Sequence, residues 1–201
     1  MSGRCTIIVP DAGPLNSLWV AGRLDLLLTL AIPVVVIDAV YDEATSDHAR
    51  FEKDRDVKVF IDSRLGPEMI LETTSVGQNG RAARARGEIV SKREHGDLAI
   101  AEFMNDRVER YVADGGTALL LFEDADFRNI HFVRQPAHLH LLSTVAMLRG
   151  LEEIGLLESA DDVLAAMLHP TGPMRQRYAR RFKDLPSGND ISAPGGSRWK
   201  P

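Results

Sequence analysis

Four acidic residues stand at places where a mixed α/β chain puts side chains for chemistry rather than for solubility. Asp11 follows a short apolar run at residues 5–9, and Glu43 lies on the helix expected after a second apolar run. Asp97 is near the start of a later helical stretch, and Asp124 comes just past the run at 118–122. Asp126 is two residues beyond Asp124, and Glu94 one helical turn ahead of Asp97. Residues three apart share a helix face, so either Glu94 or Asp97, or both, can serve as the third acid. Carboxylates brought together repel one another and lose hydration, and a cluster of four is tolerated chiefly when a divalent cation neutralises it. Oxygen donors without neighbouring Cys or paired His favour Mg²⁺ or Mn²⁺ over zinc. Such an ion acidifies a bound water, sets it for in-line attack and screens the charge of a phosphodiester. Phosphoester hydrolysis is the chemistry these residue types suggest.

Other chemistry-bearing residues have simpler readings. Asp38 reads as a helix cap, Asp161 and Asp162 as a helix start, and Glu102, Asp106 and Glu109 as a solvated helix face. His138 and His140 straddle Leu139 at an expected helix start, where capping or exposure is the default. No Ser/His or Cys/His pairing suited to acyl transfer is legible.

The elements that must position the acids follow from hydrophobic periodicity. Residues 5–9 read as a buried parallel strand. Residues 15–30 are helical, with Gly22 as a break; 33–37 form a second strand; and Asp38 opens the helix that carries Glu43. Val57, Phe60, Ile61 and Leu65 give a helical face stopped by Gly66-Pro67, ahead of a short strand at 69–71. Residues 73–87, polar, Gly-rich and basic, read as a mobile loop. A helix over about 92–105, a strand at 118–122, a short apolar segment at 131–133 and a helix at 139–148 follow. Strands alternating with helices predict a three-layer α/β/α fold around a parallel sheet of four to five strands. Right-handed crossovers open all its strand ends on one edge, where the acids can converge.

Composition bounds the rest. With 201 residues, 44% of them hydrophobic, the chain can bury a core without disulfide or metal. Its one cysteine, Cys5, sits in the first apolar run, which argues for a reducing compartment and against a thiolate zinc site. No signal peptide and no run near the roughly 20 apolar residues of a membrane span is legible, so a cytoplasmic location is expected. Net charge is −5, unevenly spread: residues 170–201 hold seven basic against two acidic side chains, leaving −10 on the rest. An acidic body argues against nonspecific nucleic-acid binding and suits recruitment of divalent cations. Residues 151–168 are amphipathic and helical, 174–183 can form a basic helix, and 186–201 have the composition of a disordered tail.

Asp11-Ala12-Gly13-Pro14-Leu15, then Val40-Tyr41-Asp42-Glu43, then Gly96-Asp97-Leu98-Ala99-Ile100-Ala101, then LLLFEDADF over 119–127, resemble in order and spacing the motifs of the PIN domain family. The resemblance covers residues 5 to about 150 and implies a nuclease domain at 1–150, a helical extension at 151–185 and a tail at 186–201. It implies a metal-dependent endoribonuclease that leaves a 5′-phosphate and a 3′-hydroxyl. Such proteins are commonly homodimers and the toxin half of a toxin-antitoxin pair, so an RNA substrate and a small antitoxin partner are implied too. Carried over position by position, Asp11, Glu43, Asp97 and Asp124 would hold Mg²⁺ or Mn²⁺ and orient water, with Asp126 auxiliary. One departure is Phe122, where the family often has Thr or Ser.

Candidate RNA contacts are Arg81, Arg84 and Arg86 in the expected loop, and Arg175, Arg177, Arg180 and Arg181, with Lys183, in the basic tail. The first group reads equally as a solvated loop, the second as a helix packed on the acidic body or binding a partner. Arg128 could steady the acids or sit in a surface ion pair. Two other function classes remain open: a nuclease-inactive PIN-like module that binds protein or RNA, and another Mg²⁺-dependent α/β phosphohydrolase or receiver-like domain. The last would want a Ser/Thr and a Lys at later strand ends to support a covalent Asp11.

Overall fold

The computed structural model describes residues 5–112, 116–123, 139–179 and 191–192, with the side chains of residues 92, 93, 191 and 192 left aside. Five parallel strands form the central sheet: β1 (Cys5–Pro10), β2 (Val34–Ile37), β3 (Met69–Glu72), β4 (Thr117–Phe122) and β5 (Leu139–Ser143), in the order 3-2-1-4-5. These segments are short, apolar and rich in β-branched residues, as strands covered on both faces must be. Every residue of β2 and of β4 is buried. Register is set by pairs such as Val9 with Leu120, Val34 with Met69, and Leu120 with Leu141.

Helices flank this sheet: α1 (Ala12–Ala21), α2 (Asp38–Thr45), α3 (Glu52–Asp62), α4 (Ser75–Ala85), α5 (Lys92–Asp106), α6 (Thr144–Glu153), α7 (Ala160–Leu168) and the single turn α8 (Pro173–Gln176). Gly22, at φ +72°, ends α1 as a left-handed C-cap, and a 3₁₀ turn at Leu24–Leu28 leads on toward β2. The core runs through Ile7, Ile8, Leu15, Leu18, Trp19, Val36, Phe103, Leu120 and Leu148. Strand order reverses between β1 and β4, and in open α/β sheets the crevice beyond the strand ends at that point is where ligands bind.

Several expectations change. Residues 73–87 are not a loop. Thr74 caps α4 by accepting the Gly77 N–H at 2.9 Å, and the glycines that read as loop-forming serve close packing instead. A Cβ on Gly77 would fall 2.3 Å from Asp38 Oδ1, and one on Gly80 2.8 Å from the His95 ring. Residues 139–148 are not one helix. Ladder pairing with β4 claims 139–143 as β5, and the Ser143 hydroxyl then caps α6 by accepting the Ala146 N–H at 3.1 Å. The basic helix expected at 174–183 ends at Gln176 among the described residues. Within the stretch expected to be disordered, Ile191–Ser192 (β6) pair antiparallel with β5. Residues 131–133 lie outside the described residues. No helix among those described is long and apolar enough to cross a membrane.

Candidate functional site

Asp11 is the hinge between the sheet and its first helix. Its N–H donates to Leu121 O of β4 at 2.9 Å, which ties the end of β1 to β4 at the reversal point. The residue then turns, with extended φ and ψ, into the N-cap of α1. Burial pushes the Asp11 carboxyl up to about 7, the Ala12 N–H pulls against that, and the charges of Glu43 and Asp97 push it further. Three acids from distant parts of the sequence therefore act on one another at the carboxyl edge of the sheet.

Glu43 arrives on α2, immediately after β2, and Asp97 on α5; both are half-buried. Gly96 lets these two helices meet. A Cβ there would fall 3.0 Å from Glu43 Oε2, so the bare glycine leaves the Glu43 carboxylate its place beside α5. Glu94, one turn earlier, is exposed, and its N–H is taken by the Ser91 cap. Asp97, rather than Glu94, is the α5 acid whose charge acts on Asp11. Asp124, Asp126 and Arg128 lie outside the described residues.

Asp38 does more than cap a helix. It is buried, and its Oδ1 accepts from the Thr74 N–H at 3.1 Å and the Thr74 hydroxyl at 2.8 Å. Arg81 donates to Asp38 Oδ2 at 2.5 Å and to Asp42 at 3.2 Å, and Arg84 to Asp42 at 2.7 Å. Two of the three arginines expected to meet phosphate thus latch α4 onto α2, while Arg86 pairs with Glu88 at 2.7 Å. Glu102 is not a freely solvated carboxylate either. It accepts the Ser75 and Val76 N–H groups at the start of α4, and Arg107 donates to it at 3.2 Å. Desolvation works to raise Glu102, but those N–H donors and the guanidinium outweigh it and hold the carboxyl below its ordinary range.

The basic extension splits. Arg175 lies 5.4 Å from the Trp19 ring centre and hard against Gly22, so it packs the chain's later part onto α1. Tyr178 meets Trp19 edge-on at 5.5 Å. Arg177 is exposed, and Arg180, Arg181 and Lys183 lie outside the described residues. His140 faces neither solvent alone nor a helix start. It lies on β5, with Nδ1 buried and unpartnered among the described residues. The Cys5 thiol, pushed up to about 12 by burial, is chemically inert at neutral pH.

Glu123 was not singled out by sequence reasoning. It follows β4 directly and is buried, with Oε2 accepting from the Ser17 hydroxyl at 2.8 Å and Oε1 from the Thr144 hydroxyl at 2.7 Å. Its signal was the one that marked Asp11: first residue past a buried strand.

As a donor set, Asp11, Glu43 and Asp97 are oxygen only and mutually repelling, which suits a hard divalent cation. Among the described residues no three His, Cys, Asp or Glu groups are close enough to hold one ion between them, so these acids are neighbours through charge rather than a closed coordination shell. Fold and site define an α/β protein with a five-strand parallel sheet and, at the point where its strand order reverses, Asp11 under the influence of the charges of Glu43 and Asp97. Comparison with known protein families, curated proteins and solved structures finds no match.

Proposed function

We propose that this chain is a divalent-metal-dependent endoribonuclease of the PIN-domain type. One observation carries the reading: Asp11 stands at the β1/β4 reversal and lies near enough to Glu43 of α2 and Asp97 of α5 for their charges to act on it. Order and spacing of the sequence motifs support it.

In this reading Mg²⁺ or Mn²⁺ would be held through one or two of the carboxylates of Asp11, Glu43 and Asp97, with Asp124 and Asp126 belonging to the same acidic set. The bound ion supplies an acidified water and screens the phosphodiester's charge. Asp11 is anchored by its own N–H on Leu121 O of β4, which holds its carboxyl at the end of β1 where the strand order reverses. Glu43 on α2 and Asp97 on α5 would orient the attacking water. Water adds to phosphorus, the bond from phosphorus to the 3′ oxygen breaks, and that oxygen takes a proton, leaving a 5′-phosphate and a 3′-hydroxyl. A small antitoxin partner, a homodimeric state and contact of Arg177, Arg180 and Arg181 with RNA belong to the same proposal.

Asp11→Asn and Asp124→Asn each test it. Both should abolish Mn²⁺-dependent cleavage of single-stranded RNA while far-UV circular dichroism stays unchanged; full cleavage by both variants would overturn the reading.

A further inference from the structure

We infer that Glu123 is a positioning residue: its carboxylate, clamped between the Ser17 and Thr144 hydroxyls, fixes the end of β4 against the first two turns of α1 and so holds Asp11 in place for metal. The inference rests on the metal-centre reading above.

Glu123 is buried at the carboxyl end of β4. Each carboxylate oxygen accepts one hydroxyl from a different element. Ser17, on α1, reaches Oε2 at 2.8 Å, and Thr144, the first residue of α6, reaches Oε1 at 2.7 Å. Both distances are those of well-formed hydroxyl hydrogen bonds to a carboxyl oxygen. The backbone has been shaped to let the clamp close. A Cβ on Gly13 would lie 3.1 Å from Glu123 Cβ and 3.4 Å from its Oε2, so the bare glycine lets Glu123 pack closely on the start of α1. On the other side of the same turn, the Asp11 N–H bonds Leu121 O, two residues before Glu123. The start of α1 is thus tied to β4 at two points, by the Asp11 N–H at its N-cap and by the Glu123 bond to Ser17 in its second turn.

Burying a carboxylate costs more than burying an apolar group of like volume, so a clamp of this kind is a poor way to add stability. What it provides is register: rotation of α1 about its axis, and with it the direction of Asp11, follows from which hydroxyls Glu123 holds. Partners that orient metal-binding carboxylates typically change metal affinity by about 10- to 100-fold when removed.

Mn²⁺ affinity of the full chain, measured by titration under electron paramagnetic resonance well below the melting temperature, tests this. In Glu123→Ala the affinity should fall at least about tenfold, while Glu123→Gln, which keeps one acceptor and can donate to the other hydroxyl's oxygen, should stay within about threefold of wild type. The Ser17→Ala/Thr144→Val pair, which leaves Glu123 in place, should match Glu123→Ala, and it keeps the test decisive if the latter does not fold. Wild-type affinity in Glu123→Ala overturns the inference. So does a Glu123→Gln as weak as Glu123→Ala alongside an unimpaired Ser17→Ala/Thr144→Val, because charge rather than hydrogen bonding would then be at work. No Mn²⁺ binding by the wild type refutes the metal-centre reading itself, and the positioning role falls with it.

Discussion

Replacing Asp11 by Asn should stabilise the metal-free protein, and by an amount that depends on pH. The folded Asp11 carboxyl is raised from an ordinary 3.8 to about 7. Over that interval the folded chain keeps a proton that the unfolded chain has released, so stability falls as pH rises. The favourable contribution is complete below about pH 4 and lost as pH climbs through about 7. At about 1.4 kcal/mol per unit, the gap has a ceiling of about 4 kcal/mol. Asp11 retains some contact with solvent, which lowers the realised figure to about 1–2 kcal/mol. For a chain of this size that is roughly 3–6 °C in melting temperature. In chelator, Asp11→Asn and wild type should melt alike near pH 4, and the variant should melt higher at pH 8. Added Mn²⁺ should raise the wild type and close the gap, leaving the variant almost unmoved. A variant that melts lower than wild type at pH 8 in chelator, or a difference that ignores pH, would refute the reasoning.

Other perturbations probe the supports. Gly96→Ala, in the interior of α5, gains up to about 1 kcal/mol of helix propensity, yet its Cβ displaces the Glu43 carboxylate, so thermal stability should hold while Mn²⁺ affinity falls. Gly77→Ala drives a Cβ into Asp38 and should detach α4; hydrogen exchange should show lost protection over 75–85 with the sheet still protected. Asp38→Ala leaves Arg81 and Thr74 without their buried acceptor and should cost about 2–3 kcal/mol, read from urea unfolding. His140, lowered below its ordinary 6.5 by desolvation, stays neutral in the fold while the unfolded chain protonates, so stability drops as pH falls below about 6.5. His140→Leu should remove that drop, as shown by melts at pH 5 and pH 8.

The parallel sheet was legible because its strands are continuous apolar runs, and a run such as VVVI has few other uses. Asp11 and Glu43 could be read as neighbours for a related reason, one lying just past a strand and the other on the helix that follows a strand, whereas Asp97 lies on α5, the second helix after β3. What the sequence hid came from tertiary context. Gly77 and Gly80 carry the signature of a loop, and only the proximity of Asp38 and His95 turns them into a packing face. Residues 139–148 have helical periodicity throughout, and pairing with β4 rather than any local preference divides them at the Ser143 cap. Arg81 and Arg84 gave a basic cluster whose acidic partners, Asp38 and Asp42, lie about forty residues earlier. The choice between Glu94 and Asp97 could not be made from spacing, because both share a helix face; burial and charge separate them. Glu123 stood beside a more familiar Asp-x-Asp-Phe pattern and was passed over for it.

The most direct measurement is cleavage of a 5′-labelled single-stranded RNA by the wild type, Asp97→Asn and Glu94→Gln, with Mn²⁺ and with chelator, read on a sequencing gel. The account predicts cleavage by wild type and Glu94→Gln in Mn²⁺ only, and none by Asp97→Asn. Cleavage that persists in chelator, or that survives Asp97→Asn undiminished, would contradict it.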